Sequence, residues 1–134
     1  MADAVTSQTI QDGERRAVLK FTNISDGTGE SAVTKIDVSA LTANSRGEAC
    51  SEVAIAQIWW QCVGMGVEIL FDATVDTPAI ILSENSNGHH DYSSFSAIPN
   101  NSATGKTGDV KFTTVNAATG DAYTVIMDVI KSYG

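Results

Sequence analysis

Apolar side chains recur at every second position through much of this chain, the spacing that turns one face of an extended strand toward a core. Near the C-terminal end, Val110, Phe112 and Thr114 alternate with Lys111 and Thr113. Further on, Tyr123, Val125, Met127 and Val129 alternate with Thr124, Ile126 and Asp128. Between the two runs, residues 116–121 include Gly120 and Asp121, which suit a chain reversal, so the pattern predicts a terminal β-hairpin.

The rest of the chain reads in the same way. Residues 5–10 favour extended structure but carry few apolar side chains, which suits an arm or an edge strand within residues 1–12. After a turn at Asp12 and Gly13, Ala17, Leu19 and Phe21 alternate with Arg16, Val18, Lys20 and Thr22, a half-buried strand with its charged side in water. Ala32, Thr34, Ile36 and Val38 predict a further strand, and residues 39–51 read as a loop with room for one helical turn and for Leu41 to drop onto the core.

The most apolar stretch is residues 53–62, whose β-branched and aromatic content favours strand. Strict alternation would place Ala54, Ala56, Ile58, Trp60 and Cys62 on one face and Val53, Ile55, Gln57, Trp59 and Gln61 on the other. Gly64 and Gly66 then break the run before Val67, Ile69 and Phe71, which predicts a second hairpin of residues 53–63 against 67–71. Residues 79–82 read as a short strand, 83–91 as a polar loop, 92–97 as one more strand and 100–107 as a loop. Seven to nine short strands without a helical period point to one all-β domain over residues 1–134, an antiparallel β-sandwich or barrel.

Charge narrows the choice of partners. Eight Lys and Arg against 16 Asp and Glu give a net charge of -8, which would repel nucleic acid and anionic membrane surfaces. No stretch approaches the roughly 18–20 apolar residues of a membrane span, and residues 1–4 lack the basic-then-apolar order of a secretion signal, so synthesis in a cytoplasm is expected. In that reducing setting Cys50 and Cys62, both in or beside the apolar run, read as buried thiols, with a disulfide as the alternative.

Candidate chemistry is sparse. Gly105, Lys106 and Thr107 resemble the end of a phosphate-binding loop, but Asn100 stands where the first glycine is needed and a strand follows where a helix is needed. His89, His90 and Asp91 would need a further ligand to hold a metal, and adjacent side chains diverge on an extended chain. The same two histidines are the only imidazole bases for Cys50 or Cys62, and Glu84 with Asp91 is the carboxylate pair considered for glycosidase chemistry. None makes a site, so no catalytic residue, no cofactor and no metal is expected. More telling is the mixed face of the last strand, which sets Ile126 and Ile130 among Thr124, Asp128 and Ser132. Such a face is either shielded by a loop or buried against another protein, and Trp59 is a second candidate anchor for that interface. Tyr92 and Phe95 beside the polar loop would suit a glycan contact.

Five segments carry a resemblance. VTSQTIQDGERRAVLKF at residues 5–21, VEILFDAT at 67–74, DYSSF at 91–95, NNSATGKTGDVKFTT at 100–114 and YTVIMDVIKS at 123–132 together resemble a family of small virion proteins of tailed bacteriophages and their prophages. The resemblance implies a structural role in the virion, with capsid decoration or cementing of the major capsid protein lattice first and a tail or neck component or a small glycan-binding module as alternatives. It also implies other virion proteins as partners and assembly as a homo-oligomer. This chain departs from the family pattern in the Ala- and Trp-rich residues 49–63, where the contact surface would differ.

Overall fold

The computed structural model describes residues 4–95, 97–102 and 104–133. Their strands, in chain order, are β1 (Ala4–Asp12), β2 (Arg16–Asp26), β3 (Val33–Ile36), β4 (Cys50–Val63), β5 (Gly66–Phe71), β6 (Thr77–Leu82), β7 (Asn87–Asp91), β8 (Val110–Val115) and β9 (Thr119–Tyr133). They form two antiparallel sheets, one in the order β1-β2-β9-β4-β7 and the other in the order β3-β8-β5-β6. The fold is therefore all-β, a sandwich of the kind the alternation predicts.

The apolar rows of both sheets meet in the middle. Ala17, Leu19 and Phe21 of β2 and Tyr123, Val125, Met127 and Val129 of β9 are buried, as the period of two requires. Across from them lie Ile36, Val67, Ile69, Phe71, Val110 and Phe112. Phe112 bridges the layers, its ring 5.3 Å from that of Phe21 and 5.8 Å from that of Tyr123, both edge-on. A polar knot closes one end: Glu30 accepts from Tyr123 Oη at 2.5 Å and Asn23 Nδ2 at 2.9 Å and pairs with Lys35 at 2.5 Å. Lys35 and Glu30 are each only 5% exposed in their side chains, so the two charges sustain one another in a place neither would occupy alone.

Several expectations need correction. The terminal hairpin does not form: β8 lies in the four-stranded sheet and β9 in the five-stranded one. Residues 53–63 and 67–71 are likewise on opposite sheets, joined at Gly64 in a left-handed conformation with Met65 fully buried beneath the turn. Among the described strands only β1–β2 and β5–β6 are hairpins, and every other connection crosses between sheets. The physical reason is common to both misses. Two neighbouring strands with apolar rows still need an opposing layer, and crossing supplies it at once by setting the rows face to face.

The long strand β4 also breaks strict alternation. Its register against β9 shifts between Ile55 and Gln57, so two residues of β4 span one step of its partner. Val53 and Ile55 before this bulge and Ile58 and Cys62 after it are all buried, whereas Ala54 faces outward with Trp59. The bulged Ala56 gives its carbonyl to Tyr92 N–H at 2.7 Å. Residues 83–91 are not wholly loop, because their second part is β7, paired with β4 and exposed throughout. The strand expected over 92–97 is instead a 3₁₀ turn at Ser93–Phe95. Leu41 does drop onto the core, just past a 3₁₀ turn at Val38–Ala40. Residues 5–10 lie within β1, which is an edge strand laid on β2.

Candidate interaction surface

The outer face of the five-stranded sheet brings together side chains from β2, β9, β4 and β7. Register alone sorts them into rows across the strands. Lys20, Ile126, Trp59 and His89 form one row, and Val18, Asp128, Gln57 and Asp91 the next. A third row holds Arg16, Ile130 and Ala54, and a fourth Thr22, Thr124, Gln61 and Asn87. Trp59, Ile126 and Ile130 thus share one face, with Trp59 directly across from Ile126 and Ile130 two rows away. All three are half-buried.

Trp59 does not lie loose on this face. Its indole stacks on the His89 ring at 4.7 Å and 8° between planes. His89 Nε2 in turn is 3.0 Å from Gln57 Oε1, and Gln57 Nε2 donates to Asp128 Oδ2 at 3.2 Å. Arg16 Nη1 donates to the same oxygen at 2.8 Å. A hydrogen-bonded chain therefore runs from β7 to β2 beside the apolar pair and holds the side chains in fixed positions. The other Asp128 oxygen, Oδ1, is buried without a hydrogen bond, so Arg16 and Gln57 are what offset this carboxylate. A shallow depression of about 190 Å³ opens between Trp59, Gln61, Gly88, Thr124 and Ile126.

A second aromatic group lies around the same edge but on the inner side. Trp60 donates from Nε1 to Ser86 Oγ at 3.1 Å and stacks on His90 at 5.0 Å. His90 lies 6.0 Å from Tyr92, and Tyr92 lies 5.8 Å from Phe95, which is 61% exposed. Gly88 leaves room for this packing, since a Cβ there would sit 3.2 Å from the Trp60 ring, which would then have to give by a few tenths of an ångström. The two histidines thus point to opposite faces of β7, as neighbours on a strand must.

The remaining candidates are scattered. Lys106 pairs with Glu52 at 3.4 Å on a loop that runs into β8, so the phosphate-loop likeness has a strand where its helix would start. Glu84 accepts from Asn116 Nδ2 at 2.6 Å beside the four-stranded sheet, while Asp91 ends β7 in the other sheet. Cys50 and Cys62 are both buried free thiols at opposite ends of β4. Twelve steps of strand separate them, roughly 40 Å, far beyond the reach of a disulfide. Burial pushes the Cys62 thiol up to about 11 and raises that of Cys50, so neither supplies a thiolate at neutral pH. Among the described residues no group of three or more His, Cys, Asp and Glu side chains could hold a metal.

The cross-strand partners of Trp59 were not visible in the sequence. His89, Gln57, Asp128 and Arg16 are drawn together by register, and register depends on which strands pair. The only sequence signal was the coincidence of a Trp pair and a His pair, with equal spacing, in two segments.

No family model matches the chain, and no curated protein matches it. Solved structures show faint likenesses. One is an uncharacterized conserved protein with a double-stranded β-helix domain from Klebsiella pneumoniae subsp. pneumoniae MGH 78578, 10% identical, with 97% of this chain and 80% of that one covered and a TM-score of 0.39. Another is a cupin superfamily protein from Desulfitobacterium hafniense DCB-2, 11% identical, with 98% and 80% covered and a TM-score of 0.35. A third is Peruvianin-I, a cysteine peptidase from Thevetia peruviana latex, 11% identical, with 100% and 70% covered and a TM-score of 0.36. Likeness of this degree carries no argument about what the chain does, and the all-β assignment stands on the two antiparallel sheets themselves.

Proposed function

We propose that this chain is a structural protein of a tailed-bacteriophage virion, a decoration or cement subunit that binds the lattice of the major capsid protein and catalyses no reaction. The observation that carries the reading is the outer sheet face. Trp59 and Ile126 form an apolar pair flanked by Lys20, and the polar row of Gln57 and Asp128, held by Arg16, separates it from a second apolar pair, Ala54 and Ile130. An aromatic anchor within a polar rim is the composition of a protein-binding patch. The segment resemblance over residues 5–21, 67–74, 91–95, 100–114 and 123–132 supplies the identity of the partner. Within a virion, the same surface would serve a tail or neck component equally well.

A second reading, a small glycan-binding module, is favoured by the run of Trp60, His90, Tyr92 and Phe95 along the β7 edge. It uses the other side of the sheet from Trp59. The two readings therefore separate by mutation.

Trp59→Ala tests the first. Added back to capsids that lack the chain, the variant is expected to bind at least about 30-fold more weakly than the wild type, the loss of an aromatic hot spot. Its fold should be kept, with a stability loss of about 1 kcal/mol from the stack on His89 that it removes. Wild-type binding by Trp59→Ala, or a wild-type chain that fails to bind capsids, would count against the proposal. Binding of the chain to a glycan array, lost on Phe95→Ala and kept on Trp59→Ala, would favour the glycan reading.

A further inference from the structure

Of the seven asparagines in this chain, only Asn87 is followed by a glycine. It also stands apart in its bonding. The side-chain amides of Asn23, Asn44, Asn85, Asn100 and Asn116 are each engaged in a hydrogen bond, whereas that of Asn87 has no partner among the described residues and lies exposed on β7. An asparagine amide before a glycine is open to attack by the backbone nitrogen that follows it. A residue without Cβ neither shields that nitrogen nor restricts the turn that the attack requires.

The strand is what keeps this bond intact. Register pairs Gly88 with Trp60, and Cys62 N–H donates to Ser86 O at 2.7 Å two steps away, so the alternation of an antiparallel ladder sets Gly88 N–H on the Trp60 carbonyl. Held there, the nitrogen cannot reach the Asn87 side chain. β7 itself is lightly attached. It is five residues long, exposed at every one, has a single partner strand, and packs chiefly through His89 on Trp59 and His90 on Trp60. Segments with so few buried contacts open locally while the rest of a domain stays folded.

We propose that the Asn87–Gly88 bond is a site of spontaneous deamidation, gated by the opening of β7 from β4. In the open state Gly88 N gives up its proton and attacks Cγ of Asn87. The new C–N bond closes a five-membered imide, and the Cγ–Nδ2 bond breaks as ammonia leaves with the proton. Water then adds to either imide carbonyl, and ring opening leaves aspartate or iso-aspartate in place of asparagine. Both products add a negative charge to the outer sheet face, in the row of Gln61 and Thr124 that borders the depression beside Trp59. The iso-aspartyl form also routes the backbone through the former side chain, and the added carbon ahead of His89 takes that ring out of register with Trp59. The inference does not rest on the virion reading, since it concerns the isolated chain.

Incubation of the purified chain at mildly alkaline pH, with peptide mapping by mass spectrometry over time, tests it. Asn87 is expected to deamidate first, ahead of Asn101, which is exposed but followed by Ser102. Asn87→Gln should remove that first product. Because the rate follows the open population, denaturant should raise it at least about tenfold. Trp59→Ala, which takes away the stack on His89, should raise it about fivefold in the native state. In the iso-aspartyl product the His89 ring protons should lose the ring-current shift that Trp59 gives them. Deamidation that begins at another asparagine overturns the site. A rate at Asn87 unchanged by Trp59→Ala and by denaturant overturns the gate, and an iso-aspartyl product that keeps the His89 shift overturns the effect on the face.

Discussion

Phe112→Ala is expected to lower the unfolding free energy by about 3–5 kcal/mol, and by more than any substitution on the outer sheet face. The ring is fully buried at the centre of the sandwich, where it meets Phe21 from one side and Tyr123 from another. Truncation leaves a cavity between two sheets, and neither sheet can move inward without breaking register along its own ladders. A domain of this size has roughly 5–15 kcal/mol in total, so one substitution removes a large share of it. Denaturant titration should show the midpoint falling with an unchanged slope, and thermal unfolding should shift down by roughly 10–20 °C. A loss below about 1 kcal/mol would mean that Phe112 is not between the two layers.

Lys131→Met is the second large effect, and it acts through a buried ion pair. The Lys131 side chain is fully buried, and its Nζ donates to Asp12, to Gly13 O at 2.5 Å and to Thr42 O at 3.0 Å. One amine thus ties the end of β1, the turn after it and the loop beyond Val38–Ala40 to the last strand. Methionine fills similar volume but leaves three acceptors without this donor. The expected loss is about 2–4 kcal/mol, below the full figure for breaking a buried pair because Asp12 keeps some contact with water.

The variant should also change the acid limb of stability. Partial burial alone would raise the Asp12 carboxyl, but hydrogen bonds from Lys131 and Thr42 outweigh it and hold the group below its ordinary value. A carboxyl depressed in the folded state contributes stability above its ordinary value near 3.8, and the contribution is lost as pH falls through the folded value. Stability measured from neutral to acid pH should therefore fall less steeply in Lys131→Met. An equal slope in both proteins would show that Lys131 does not set the Asp12 charge.

What the sequence revealed, and what it hid, follows from the range of each interaction. Period-two alternation is local, so the buried rows of β2 and β9 were legible residue by residue. The same alternation put Ile126 and Ile130 on one side of β9, and the structure places Trp59 on that side too. Strand partners are not local. β8 and β9 look like a hairpin because a turn joins two amphipathic runs, yet the choice between pairing and crossing depends on the opposing layer. The bulge at Ala56 was hidden for a different reason. From Val53 to Ala56 no polar residue marks the phase, so a one-residue insertion before Gln57 leaves no trace in the pattern. β7 went unread because an exposed edge strand has no apolar row at all. Its stability comes from the β4 ladder and from His89 and His90 stacked on Trp59 and Trp60.

The central claim is that this chain works as a surface, binding neighbours in a particle through its sheet faces. On the proposed reading a phage encodes this chain, and its ratio to the major capsid protein in purified particles, with its position in a density map, tests that claim most directly. A regular ratio with subunits seated on the capsid lattice and Trp59 at the contact is the expected result. Particles that are complete and infectious without a trace of the chain would contradict it.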